Sequence, residues 1–289
     1  AHGVDVVLVL THADDANENI WFSSVAELAA VNGLPCAAPD DAATALLQER
    51  MAALAPDFIF SFYYRRMLPP AVLATASRGA YNMHGSLLPA YRGRVPVNWA
   101  VINGERETGA TLHGMVEKPD AGPIVAQQRV PILPDDTAGE VFRKVTVAAE
   151  LALDAILPSL LAGSASHVPQ NLTVGSDYGG RKPEDGLIDW RAPAEQIHNL
   201  VRGVAPPYPG AFTTIAGKRL RILRSKPLPH EKPRQASAAM EVSDERIVAR
   251  CGDGRSLWLL DVEFDGLRID AGNFCRLFGS VAVPLGQAT

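Results

Sequence analysis

The sequence predicts an α/β protein: a doubly wound, mainly parallel sheet followed by a small β-barrel. Three observations carry this. Short apolar runs alternate with helical patterns through the first half of the 289-residue chain, which implies strands linked by crossover helices and covered on both faces. A polar tract then breaks the hydrophobic pattern over residues 170–186, with Gly175, Gly179, Gly180 and Pro183. Beyond it, short strand-like runs follow one another closely, as in a small barrel.

Taken in order, residues 4–10, 57–63, 79–84, 109–115 and 124–132 read as strands, and 21–32, 42–54 and 96–102 as helices. A turn-rich loop separates the last two strands, which suits antiparallel pairing. A long helix follows over 138–161. Thr137 and Glu140 stand at capping-box spacing before it. Val141, Val145, Ala148, Ala152, Ile156 and Leu160 make its apolar stripe, Pro158 is placed to kink it and Gly163 ends it. The domains are therefore expected at 1–170 and 187–289, joined by a linker over 171–186. The second should hold a helix near 194–204 and strands at 211–215, 220–224, 246–251 and 256–260.

Bulk properties narrow the class. A hydrophobic share of 47% and a charged share of 20% suit a globular protein, and no apolar run reads as long enough to cross a bilayer. Three widely spaced cysteines, Cys36, Cys251 and Cys275, read as reduced thiols of a cytoplasmic protein, not as a disulfide frame. The net charge of −5 and the absence of clustered Lys and Arg count against a nucleic-acid substrate.

Chemistry concentrates in residues 81–96, Tyr-Asn-Met-His-Gly-Ser-Leu-Leu-Pro-Ala-Tyr-Arg-Gly-Arg-Val-Pro. On a strand ending at His84, alternation turns Asn82 and His84 to one face and Met83 to the core. A strand end is where open α/β sheets build sites. His84 titrates near neutrality and can move protons; Asn82 offers a neutral amide to a developing oxyanion. Asp120 lies in a Pro-Asp-Ala-Gly-Pro turn, where Asp is common for local reasons alone. Ser86 follows His84 but lacks a Gly-x-Ser-x-Gly elbow, so it reads as a loop residue. His2, His12, His113, His167, His198 and His230 are scattered without metal-ligand spacing, so no metal is expected. No phosphate-cradling glycine fingerprint is present, and Trp99 and Trp190 read as packing residues.

Asn82-x-His84-x-Ser86-Leu87-Leu88-Pro89, Tyr91-Arg92-Gly93 and Asp120-Ala121-Gly122, in this order, resemble the 10-formyltetrahydrofolate-dependent formyltransferases. The likeness runs over nearly the whole chain. Thr11-His12-Ala13-Asp14, the Ile59 to Arg65 run and the Tyr178 to Asp185 run are most similar to the ArnA-type formyltransferases of polymyxin resistance. The resemblance implies a Rossmann-like catalytic domain with an OB-like C-terminal domain. It implies that Asn82, His84 and Asp120 are catalytic, and that Arg66, Met67, Leu68, Arg94, Val116, Glu117, Lys118, Pro119 and Asp120 contact the folate. The implied donor is 10-formyltetrahydrofolate and the implied acceptor a nucleotide-linked amino sugar, UDP-4-amino-4-deoxy-L-arabinose. A methionyl-tRNA acceptor, a dTDP-linked amino sugar and a non-catalytic folate-binding module are the rivals. Family members open with one more strand and helix than this sequence shows, so a shortened start is expected. An oligomer is compatible with the sequence.

Overall fold

A computed structural model describes residues 2–15, 19–40, 44–228, 237–279 and 282–285. His230 and the first two residues of the helix expected over 42–54 lie outside them. In chain order the first elements are β1 (Val9–Leu10), α1 (Val25–Val31), β2 (Cys36–Ala37), α2 (Ala45–Leu54), β3 (Phe58–Phe62), α3 (Pro70–Leu73), β4 (Gly79–His84) and β5 (Arg92–Gly93). Then come α4 (Pro96–Ile102), β6 (Glu107–Gly114), β7 (Ile124–Pro131), α5 (Ala138–Ala162) and β8 (Asp177–Tyr178). The chain divides into two compact units, the first comprising residues 1–94, 109–130 and 144–178, the second 95–108, 131–143 and 179–289.

In the first unit, β1 and β2 pair in parallel, as do β3 and β4. β4 pairs antiparallel with β6, giving the order β3-β4-β6-β7. The sheet is thus mixed: β3 and β4 run parallel, β4 and β6 run antiparallel although α4 lies between them in sequence, and β6 and β7 join as a hairpin. There the Gly114 N–H donates to the Pro123 carbonyl at 2.9 Å. The strand expected over 4–10 shrinks to β1, because only Val9 and Leu10 have ladder partners, in Cys36 and Ala37. The first two helices start where a hydroxyl caps them: Ser24 Oγ accepts the Glu27 N–H (3.2 Å) and Thr44 Oγ1 the Leu47 N–H (3.3 Å). Leu47, Met51, Ile59 and Val72 form a buried cluster onto which Leu8, Leu10, Leu68 and Met115 pack.

The cap of α5 forms as expected. The Thr137 N–H donates to Glu140 Oε2 at 2.7 Å, and the Glu140 N–H returns to Thr137 Oγ1 at 3.3 Å. Val141, Val145, Ala148, Ala152 and Leu160 of the stripe are buried, and Pro158 sits inside the helix. The expectation that no segment could cross a bilayer needs correction. By length and composition α5 passes, because Val147 and Leu151 on its exposed side add to the buried stripe.

The second unit holds α4, α6 (Ala194–Val204), β9 (Ala211–Ile215), β10 (Lys218–Pro227), β11 (Ala239–Ser243), β12 (Arg246–Arg250), β13 (Ser256–Phe264), β14 (Leu267–Arg268), α7 (Ala271–Phe278) and β15 (Val283–Pro284). Its strands form one antiparallel sheet in the order β15-β11-β12-β13-β10-β9, with β14 on β13. Register shifts near Arg224 bend β10 against β13, curling the sheet as the barrel prediction requires. Trp190, Ile197, Val201, Leu220, Ile222, Met240, Leu257 and Phe274 fill the core between sheet and helices. Asn98 of α4 donates to the Gly203 carbonyl of α6 at 2.9 Å.

Candidate active site

The site grows from the C-terminal end of β4. Met83 is buried on the core side, which leaves Asn82 and His84 on the other face, as alternation demands. Register does the next step. Asn82 stands opposite His113 on β6, and His84 opposite Thr111, so a second imidazole arrives beside the Asn82 amide. His113 Nδ1 lies 2.9 Å from the Gly114 carbonyl, which can only accept, so Nδ1 carries the proton. Nε2 of the same ring lies 3.2 Å from Asn82 Nδ2, which puts the Asn82 NH₂ toward His113 with one amide hydrogen left over.

Asp120 enters from the loop after β6 and meets both imidazoles. Its Oδ1 lies 3.4 Å from His84 Nδ1 and 3.5 Å from His113 Nε2. Its Oδ2 accepts the Gly93 N–H at 2.9 Å. Burial pushes the Asp120 carboxyl up, but the His113 and His84 contacts and the Gly93 N–H outweigh it and hold the carboxyl below the usual carboxylate range. His84 goes the other way for an imidazole in contact with a carboxylate. Burial dominates and lowers its pKa, although Asp120 and the Tyr91 carbonyl both favour its charged form. Its Nε2 donates to that carbonyl at 2.8 Å. The resting pair is therefore an anionic Asp120 beside a neutral His84 that is poised to charge.

Two short motifs make this geometry possible. A side chain on Gly93 would put its Cβ 2.2 Å from the Tyr178 carbonyl oxygen, and its φ of +93° favours glycine. Only glycine lets the backbone come close enough to donate to Asp120. On Gly122 a Cβ would fall 1.8 Å from the Gly114 carbonyl oxygen, so the Asp-Ala-Gly turn presses flat against the end of β6. Asp120 itself has φ +54° and Tyr91 φ +57°, left-handed conformations that cost about 1–3 kcal/mol and gather at functional sites.

The loop after β4 is braced without using its polar groups for chemistry. Ser86 is wholly buried and its hydroxyl donates to the Ala90 carbonyl at 2.6 Å, a loop brace. Arg92, whose role the sequence leaves open, is buried between Asp177 (3.4 Å) and the Pro89 carbonyl (3.2 Å). Segment 174–178 straps this loop: Ser176 accepts the N–H groups of Tyr91 and Arg92 at 2.9 Å, and Tyr178 accepts that of Arg94 at 2.9 Å.

The residues expected to contact a folate fall in three places. Arg66, Met67 and Leu68 follow β3; Val116, Glu117, Lys118 and Pro119 follow β6; Arg94 follows the Gly93 contact. Leu68 packs on the same cluster as Met115, which brings the first two loops onto one piece of core. Met67 and Val116 stand 66% and 43% exposed, while the side chains of Arg66, Glu117, Lys118 and Arg94 face solvent. No contact ties Arg94's exposed side chain to either loop among the described residues. Sequence reasoning left His113 among the scattered histidines. The signal that could have found it is the alternation of β6, which places 111 and 113 together and buries Leu112 on the opposite face. Among the described residues no group of three or more His, Cys, Asp or Glu side chains is set to hold a metal ion.

Comparison with known proteins gives the family. The formyl transferase family model matches residues 1–157, and the model of the formyl transferase C-terminal domain matches residues 181–278. Among solved structures, the N-formyltransferase from Helicobacter canadensis, in complex with folinic acid and dTDP-3-aminofucose, superimposes with a TM-score of 0.68 at 21% identity, covering 88% of each chain. The sugar 3N-formyl transferase WlaRD, solved with dTDP and 5-N-formyl-THF, gives 0.65 at 19% identity over 87% of this chain and 86% of that one. A methionyl-tRNA formyltransferase from Clostridium thermocellum gives 0.57 at 18% identity over 91% and 98%. At such identities the likeness to solved structures establishes the fold, and the two family models establish the kinship: the chain belongs to the formyl transferase family.

Proposed function

We propose that this enzyme transfers the formyl group of 10-formyltetrahydrofolate to the 4-amino group of UDP-4-amino-4-deoxy-L-arabinose, in the cytoplasm, as a step of lipid A modification leading to polymyxin resistance. The observation that carries the chemistry is the convergence of Asn82, His84 and Asp120 at one strand end. The amine nitrogen attacks the formyl carbon, and the carbonyl π pair moves onto oxygen. The free Asn82 amide hydrogen receives that oxyanion. The attacking nitrogen becomes cationic and loses a proton to the Asp120–His84 pair; the same proton then passes to N10 of the folate as the C–N10 bond breaks. Because His84 Nε2 is committed to the Tyr91 carbonyl, this traffic runs on its Nδ1 side, where Asp120 stands. Met67 and Val116 offer exposed apolar surface for a flat heterocycle to cover, with the backbone of 116–120 beside it for hydrogen bonds.

The amino-sugar acceptor is supported by the ArnA-like segments of the sequence and by structural neighbours solved with dTDP or a dTDP-amino sugar. The net charge of −5 disfavours the second reading, a methionyl-tRNA acceptor. Incubation with 10-formyltetrahydrofolate and, separately, UDP-4-amino-4-deoxy-L-arabinose, a dTDP-linked amino sugar or methionyl-tRNA tests this, with the formylated product read by mass spectrometry. A product 28 Da heavier from the UDP sugar is expected (CO added, as –H becomes –CHO). Product from another acceptor alone keeps the mechanism and overturns the substrate. Donor consumption with no acceptor formylated, or none at all, counts against the whole reading.

A further inference from the structure

We propose that Gln170 is a positioning residue that holds the Asp120 turn in its working shape and so acts on formyl transfer through Asp120. The proposal rests on the catalytic reading of Asp120. Gln170 lies in the polar stretch that ends the first unit, 50 residues beyond Asp120 in sequence. Its Nε2 donates to the Asp120 carbonyl at 2.9 Å and to the Gly122 carbonyl at 2.6 Å. Both amide hydrogens are thus spent on the two carbonyls that flank Ala121. Two carbonyl dipoles aimed at one point repel each other, and a two-pronged donor is what keeps them there.

The rest of the turn leaves Gln170 little competition for this task. Asp120 sits at φ +54°, a conformation that a non-glycine residue leaves when nothing holds it. On one side Gly122 is pressed against the Gly114 carbonyl. On the other, the carboxylate has its Gly93 N–H and its two imidazoles. Between these, the backbone of the turn is held by Gln170. Its Oε1 is buried and has no hydrogen-bond partner among the described residues. A buried amide oxygen left unpaired is unfavourable, so a residue kept only for packing would be better apolar. The donor half of the amide explains why Gln stands here. The Ile124–Val168 bridge, with reciprocal N–H to carbonyl bonds at 2.8 Å, anchors the segment just before it.

The test compares Gln170→Met, which keeps length and loses the donors, with Gln170→Lys, which restores a donor of similar reach. Gln170→Met should lower kcat about 10- to 100-fold, the scale of a displacement of about 1 Å outside the reacting atoms, with KM for the amine changed less than about threefold. Its acidic limb should move to higher pH, because Asp120 loses the contacts that hold its carboxyl down. Gln170→Lys should recover part of kcat and bring the limb back. Wild-type kcat and pH profile in Gln170→Met overturn the proposal, and so does a loss that Gln170→Lys does not relieve. An activity-free readout separates this from failure of the proposed reaction: the imidazole NMR titration of His84, whose ring faces Asp120, should shift in Gln170→Met. An unchanged titration in a folded variant overturns the clamp even if the wild type formylates nothing tested. Should Gln170→Met fail to fold, the Gln170→Lys titration decides, a wild-type-like curve supporting the clamp and a displaced one overturning it.

Discussion

His84 and His198 are buried to the same degree, 6% and 5% exposed, one in each unit. Each gives its Nε2 proton to a backbone carbonyl, Tyr91 at 2.8 Å and Pro134 at 3.1 Å. In each, burial lowers the pKa. They part at the other nitrogen. His198 Nδ1 accepts from the Ser225 hydroxyl at 3.0 Å, so the neutral ring has every polar atom satisfied and nothing to do. His84 Nδ1 faces the Asp120 carboxylate at 3.4 Å, an arrangement that improves when the ring takes a proton. Burial alone does not mark a functional histidine. What marks it is a surrounding that suits the charged form while burial keeps the ring neutral.

The sharpest way to break this comparison is to remove each ring. His84→Ala should lower kcat about 10²–10⁴-fold, measured with saturating donor and acceptor below the transition, beside any stability it loses by stranding the buried Tyr91 carbonyl. His198→Ala should cost stability and not activity. It strands the buried Ser225 hydroxyl, which costs about 1–3 kcal/mol. At roughly 2–4 °C per kcal/mol in a chain this long, calorimetry should show a clear drop, with kcat below the transition kept within twofold. Equal loss of activity from both would dissolve the distinction.

A smaller effect sharpens the His84 side. In Gly93→Ala the added Cβ meets the Tyr178 carbonyl, so the backbone must retreat and withdraw its N–H from Asp120. We expect about 1–3 kcal/mol of lost stability and at least a tenfold loss of kcat, with KM for the folate little changed. Retention of wild-type kcat would mean that the Gly93 N–H does not set the Asp120 carboxylate.

How much of this could be read from the chain follows from how local each feature is. β4 and α4 appear at their predicted residues, and the stripe and cap of α5 form, because each is written in periodicity or in a pair three residues apart. Asn82 and His84 share a face for the same reason. His113 was not legible, since it meets Asn82 only through the antiparallel register of β4 and β6, 31 residues apart. Gln170 was hidden differently. Its stretch reads as linker because it is polar and rich in turn residues, yet the Gln170 amide reaches the carbonyls of Asp120 and Gly122, 50 and 48 residues away. Spacing alone left Asp120 a common turn residue, and only the Gly93 N–H and two imidazoles around it show what the turn is for.

The smallest effect is in the pH dependence of stability, and it carries the comparison furthest. For a histidine whose folded pKa is depressed, the unfolded chain binds a proton that the folded chain refuses, between the folded value and the unperturbed value of about 6.5. Stability therefore falls as pH falls below about 6.5, and His84 and His198 both contribute with this sign. Asp120, held below its ordinary range, adds a loss only at lower pH, below the unperturbed carboxyl value of about 3.9. Asp120→Asn separates the two rings. It removes the main influence that raises the His84 pKa, so the His84 ring should resist protonation more, and the loss of stability below pH 6.5 should become steeper. The acid loss near pH 4 and below should weaken, because the shifted carboxyl is gone. His198 lies in the other unit, and its shift owes its opposing influences to the Pro134 carbonyl, Asp135 and Glu195, so its share of the slope should stay as it was. Denaturant unfolding of wild type, Asp120→Asn and Asp120→Asn/His84→Gln from about pH 2.5 to 8 measures this. If the steepening persists without His84, the carboxylate does not act on that ring, and His84 would belong with His198 as a satisfied core histidine.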